Sequence, residues 1–128
     1  MNSPFAKLLF ILVAAIFLIL PLAADAAQPF SQKAFAEAQE AGKSILVDVT
    51  APWCPTCAKQ HPIIQGLETA NPKLVVFEVD FDTAKDVLKR FKVQYQSTLI
   101  SFKGKAEVGR STGETDAKAI ADQVAKSL

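Results

Sequence analysis

The chain has two cysteines, and both lie in one short string, Trp53-Cys54-Pro55-Thr56-Cys57. Two thiols separated by two residues can close to a disulfide or open to a dithiol, so the chemistry they offer is thiol–disulfide exchange. A bridge across so short a loop removes little entropy from the unfolded chain and is a poor staple. A helix starting at Cys54 sets that sulfur against unsatisfied backbone N–H groups and the positive end of the helix dipole. Both favour the thiolate, the form that attacks and departs. Cys54 is therefore the candidate nucleophile, expected at a solvent-open helix tip. Cys57, one turn on and on the same face, is the thiol that resolves the mixed disulfide. Pro55 removes one N–H from this neighbourhood and Thr56 has a hydroxyl to offer to sulfur, so both tune the site.

Four further residues carry chemistry in these surroundings. Asp48 interrupts the apolar run Ile45–Val49, and a carboxyl in a buried strand holds its proton more tightly than one in water. The blander alternative is an aspartate near the strand end that caps a turn. Glu78 shares one face of a second run with Leu74 and Val76, or else faces solvent at that strand's end. Trp53 covers the cysteines and excludes water, or is a plain core aromatic. His61 lies four residues after Cys57 and so on the same helix face. With Cys54 and Cys57 it makes a three-ligand set for copper or zinc, against which stands an ordinary solvated helix histidine.

The elements that must position these residues can be read from pattern. Ser31 caps a short amphipathic helix with Ala34, Phe35, Ala38 and Ala41 as its apolar stripe, and Gly42 ends it. Ile45–Val49 is a continuous β-branched run, which suits a central strand covered on both faces. The helix from Cys54 has Pro55 in its first turn, where a missing N–H costs nothing. It contains Pro62, expected to kink it, and stops at Asn71-Pro72. Leu74–Val79 is a second strand, and Thr83 is the expected cap of a helix over 84–91. Thr98–Phe102 and Ala106–Gly109 form a hairpin turning at Lys103-Gly104-Lys105. A last helix, capped near Thr115, buries Ala119, Ile120 and Val124. The order α-β-α-β-α-β-β-α implies an α/β fold, a mixed sheet of about four strands with helices on both faces.

With 128 residues and a formal charge of +1, the chain holds one domain and gives no electrostatic reason to expect nucleic acid or anionic lipid as partner. Its first 26 residues stand apart. Lys7 opens an uncharged stretch from Leu8 to Leu20, Pro21 breaks it, and Ala24-Asp25-Ala26 is a small-x-small pattern. Residues 1–26 therefore read as a cleaved export signal, with residues 27–128 as the domain. The rival is an uncleaved membrane anchor, since Leu8–Ala24 is at the short limit for a spanning helix. Either way the domain is expected outside the cytoplasm, periplasmic or secreted.

From Ser31 to Leu128 the chain resembles the thioredoxin superfamily. The resemblance is carried by Ile45-Leu46-Val47-Asp48-Val49-Thr50-Ala51-Pro52-Trp53-Cys54-Pro55-Thr56-Cys57 with Pro62 five residues on, by Val79-Asp80-Phe81-Asp82, and by Thr98-Leu99-Ile100-Ser101-Phe102-Lys103-Gly104-Lys105. Residues 34–43 are similar to the helix before the strand in the C-terminal domain of transmembrane thiol-electron transporters. Trp53–Cys57 is similar to the string of periplasmic reductases serving cytochrome c maturation. The resemblance implies a thioredoxin-like fold and a monomeric thiol–disulfide oxidoreductase, without cofactor, that reduces protein disulfides in the bacterial envelope. Its implied partners are protein disulfides and dithiols and a membrane thiol-electron transporter.

The resemblance further implies that Asp48 takes and returns the proton of Cys57. The family often has a lysine at the position of Glu78, so here Asp48 and Glu78 would be like charges, each disfavouring ionisation of the other. One departure concerns the loop facing the cysteines. The family has a cis-proline there; this chain has Ser97. A cis bond at serine costs about 3 kcal/mol or more. Either the Gln96–Ser97 bond is trans and the loop differs, or strain is stored. In the family this loop pairs with substrate and keeps metals off the cysteines. Ser97 therefore supports the alternative reading, a copper or zinc chaperone using Cys54, Cys57 and His61.

Overall fold

The computed structural model describes residues 26–128; the expected export signal or anchor lies almost wholly outside them. No helix among the described residues is long and apolar enough to cross a membrane.

The β-branched run forms strand β2 (Ser44–Thr50), buried from Ser44 to Val49. Both its faces are covered, as an uninterrupted apolar run requires. It pairs in parallel with β3 (Leu74–Asp80) and antiparallel with β4 (Thr98–Lys103), which continues into β5 (Ala106–Thr112). A fifth strand, β1 (Gln28–Pro29), adds in parallel to β3. The sheet is mixed, in the order β1-β3-β2-β4-β5. β1 has only two residues, too short for a period-2 pattern, so four strands and not five are legible in the sequence.

The alternation along β2 divides the core. Ile45, Val47 and Val49 pack with Phe35, Phe77 and Phe91 beneath α1 (Gln32–Glu40) and α3 (Lys85–Phe91). Leu46 faces the other way, with Ile64, Leu99, Ile120 and Val124 beneath α2 (Pro55–Ala70) and α4 (Ala117–Ala125). Asp48, two residues after Leu46, falls on this second side.

Ser31 caps α1 by accepting from Ala34 N–H at 3.3 Å, and Gly42 follows it at φ 67°. α2 begins at Pro55 with Cys54 as its cap, runs through Pro62, and ends at Asn71. One expected cap is corrected. Thr83 does not cap α3: Asp80 Oδ1 accepts from Asp82 N–H and Thr83 N–H in a turn of its own, and Ala84 takes the cap position without a side-chain bond. The last helix is capped one residue after Thr115, where Asp116 Oδ1 accepts from Ala119 N–H at 2.8 Å.

Candidate active site

The site is built where β2 leads into α2. Cys54 has extended backbone, φ −88° and ψ 108°, and its Sγ accepts from Cys57 N–H at 3.1 Å. That N–H is one of the orphan donors of a helix start, and the sulfur satisfies it. Cys54 and Cys57 are joined in a disulfide, with Cα atoms 5.3 Å apart. Once this bond is reduced, the same N–H and the helix dipole favour negative charge on Cys54. The Thr56 hydroxyl makes no such bond; the donor to the Cys54 sulfur is backbone.

Cys54 is 3% exposed and Cys57 fully buried, which corrects the expectation of a sulfur open to solvent. The pair packs with Ala51 and Phe81, a contact from the β3–α3 connection that a local pattern does not contain. Trp53 is 56% exposed, so it is not a core aromatic. Its Nε1–H donates to Asp82 Oδ2 at 2.8 Å, and its ring meets Phe81 edge-on at 6.4 Å. The indole is thus held beside the disulfide by the segment that covers the cysteines. Pro55 is exposed and Thr56 half-buried at the helix start.

Behind the cysteines, Asp48 is 1% exposed. Burial pushes its carboxyl up to about 7, reinforced by the charges of Glu78 and Glu68. Its Oδ1 has no hydrogen-bond partner, and its Oδ2 lies 3.8 Å from His61 Nε2. Glu78 stands directly opposite Asp48 in the β2–β3 register, half-buried. His61 Nε2 is also 3.1 Å from Thr50 Oγ1. The ring therefore engages β2. Among the described residues, no group of three or more His, Cys, Asp and Glu side chains is placed to hold a metal ion.

Ser97 has the trans alternative, since the described residues contain no cis peptide bond. Its φ is 59°. Its N–H donates to Val49 O at 2.8 Å, and its carbonyl accepts from Gly113 N–H at 3.0 Å. The serine hydroxyl closes onto Gln96 O at 2.5 Å.

Two residues escape the sequence reading. Gln60 is fully buried, and its Nε2 donates to Ser97 O at 3.2 Å and Glu114 O at 2.8 Å, tying α2 to both facing loops. Glu68 is 7% exposed with Oε1 unpartnered. Burial raises its carboxyl, Glu78 adds to this, and the Ala27 amide works the other way. Both lie on the helical stripe through Cys57, Gln60, Ile64 and Glu68, a spacing that marks the buried face; polar residues on it were the available signal.

A disulfide-forming pair at the start of a helix, on a mixed five-stranded sheet with a buried carboxyl on its central strand, defines a thiol–disulfide oxidoreductase of the thioredoxin fold. The family model for thioredoxin matches residues 26–126, and the chain belongs to the thioredoxin family. It is 34% identical over 92 residues to a thioredoxin H-type of Fagopyrum esculentum, covering 72% of this chain and 78% of that protein. It is 31% identical over 99 residues to a thioredoxin of Chlamydia trachomatis, covering 77% of this chain and 96% of the relative. Among solved structures, Trxlp from Edwardsiella tarda superposes with a TM-score of 0.74 at 44% identity, covering 77% of this chain and 98% of that one. The protein is a thiol–disulfide oxidoreductase with protein disulfides as its class of substrate.

Proposed function

We propose that this oxidoreductase works as a reductant of protein disulfides in the bacterial envelope, resupplied with electrons by a membrane thiol-electron transporter. One observation carries the direction. Asp48, Glu68 and Glu78 converge on one side of the sheet, around the strand that leads to the cysteines, and among the described residues no lysine or arginine pairs with any of them. Negative surroundings make a thiolate costly. A dithiol whose reduced form is not stabilised gives up its electrons readily.

In the forward direction, the Cys54 thiolate attacks a substrate disulfide. Asp48 then takes the proton of Cys57 as that sulfur attacks Cys54, and the reduced substrate leaves. A carboxyl that titrates near 7 is matched to this transfer at neutral pH. The compartment rests on the sequence alone, on Lys7, the apolar stretch from Leu8, Pro21 and Ala24-Asp25-Ala26.

The deciding measurement is the Cys54–Cys57 reduction potential in glutathione buffers. A value near about −270 mV supports a reductant; one near about −120 mV, that of the strongest disulfide-forming oxidants, reverses the direction. Insulin reduction should vanish in Cys54→Ser. Cell fractionation tests the compartment: recovery of the full chain in the cytoplasm would defeat the export reading.

A further inference from the structure

Asp48 has a problem that the exchange chemistry does not solve. It is 1% exposed, yet a base that takes one proton per turnover must lose it before the next. The groups that face it are His61 and Glu68 from α2 and Glu78 from β3, while β4 places Leu99 opposite. Together with Ala26, Ala27, Ile64 and Gln65 these line a cavity of about 220 Å³. That is roomy enough for a water and polar enough to hold one. Asp48 Oδ1 and Glu68 Oε1 are both buried without partners. Of the three facing groups, Glu68 is itself buried, and Glu78, half-buried opposite Asp48 in the register, makes no hydrogen bond to it.

His61 differs from both. Its side chain is 43% exposed, and its Nε2 lies 3.8 Å from Asp48 Oδ2, within reach of one intervening water or a small ring movement. Thr50 Oγ1, 3.1 Å from the same nitrogen, fixes the ring on the Asp48 side. The imidazole, like Glu78, also borders the larger open depression beside Pro52 and Asp80, but of the two it is the imidazole that the structure sets against an Asp48 oxygen. One ring thus touches both the cavity at Asp48 and the outer depression.

We propose that His61 is the proton outlet of Asp48, carrying the proton taken from Cys57 to bulk water and back again in the reverse direction. The proposal rests on the Asp48 role given above, though on neither the direction nor the compartment. When the Cys57 sulfur attacks Cys54, the bond from Cys54 to the substrate sulfur breaks. The substrate leaves as a thiolate with the electron pair, and two electrons have passed from the dithiol to the substrate. The Cys57 proton goes to the Asp48 carboxylate. It then passes to the His61 imidazole, and the imidazolium releases a proton to water. An imidazole accepts and releases protons around neutral pH, which suits it to both transfers.

The test uses the reduced full chain in single turnover with the chromogenic disulfide dithiobis(nitrobenzoate). Each of its two thiolates is coloured, so attack by Cys54 and resolution by Cys57 appear as separate phases. In His61→Gln the second phase should slow about tenfold near pH 7, with the first phase unchanged. Added imidazole should restore the second phase in proportion to its concentration, which no packing defect would produce. In Asp48→Asn the second phase should be slow whether or not His61 is present, and imidazole should have no effect. A second phase in His61→Gln that follows the parent protein across pH, or slows without imidazole rescue, overturns the outlet. A normal second phase in Asp48→Asn overturns the Asp48 role itself, so the two failures are distinguishable.

Discussion

The backbone amide of Ser97 donates to Val49 O, and its φ of 59° lies in the left-handed region. Proline, the residue the family has here, can do neither: it lacks the N–H, and its ring holds φ near −65°. Ser97→Pro should therefore destabilise the oxidised protein by about 3 kcal/mol, through a lost buried hydrogen bond and an unreachable backbone conformation. Glycine reaches positive φ without the Cβ clash. In Ser97→Gly the relief of strain is offset by the lost hydroxyl bond to Gln96 and the freer unfolded chain. Its stability should stay within about 1 kcal/mol of the parent. Urea denaturation of the three proteins reads both differences. A Ser97→Pro protein as stable as the parent would mean that the loop has changed conformation to accept the ring. Since Ser97 O also accepts from Gln60 Nε2, such a change would loosen α2 from the loop that faces the cysteines.

Two glycines separate what an element needs by itself from what its neighbours impose. Gly66 sits in α2, exposed, and a Cβ added there meets nothing within 4 Å. Gly66→Ala should stabilise the protein by about 1 kcal/mol, the ordinary helix-interior difference between the two residues. Gly109 lies in β5, where an added Cβ would come within 2.7 Å of Gln123 Cγ. That side chain cannot step aside freely, because its Nε2 donates to Leu99 O and Ser101 Oγ. Gly109→Ala should cost about 1–3 kcal/mol by overpacking α4 against the sheet. Thermal unfolding of both variants should move in opposite directions.

The same division explains how much was legible from the chain. Ile45–Val49, the capped start at Cys54 and the hairpin are written in local pattern, and the structure has them. β1 exists only through its pairing with β3, and the covering of the cysteines comes from Phe81, in the connection after β3. Those are tertiary facts. Gln60 and Glu68 were within reach through helical periodicity, but polar residues on a buried stripe register as functional only when their partners, loops far off in sequence, are known.

At the scale of the whole molecule, a buried acid group on the central strand makes stability depend on pH. The Asp48 carboxyl has an ordinary value of 3.8 and is raised to about 7 in the folded protein. Between those values the folded state keeps a proton that the unfolded state has lost, so stability falls as pH rises. The contribution is fully present below 3.8 and gone above about 7. At ~1.4 kcal/mol per pH unit, it has an upper bound of roughly 4 kcal/mol. Asp48→Asn removes the ionisation while keeping the shape. It should match or slightly trail the parent at acid pH and exceed it by up to roughly 4 kcal/mol at pH 8. Taking the difference between the two proteins at each pH cancels the carboxylates remote from Asp48 and leaves Asp48 with its coupling to Glu78 and Glu68. Both must be kept oxidised, since the disulfide also weights the balance. A difference that stays flat from pH 4 to pH 8 would mean that Asp48 ionises as easily in the fold as in water, and the central strand would then hold no proton for the cysteines to use.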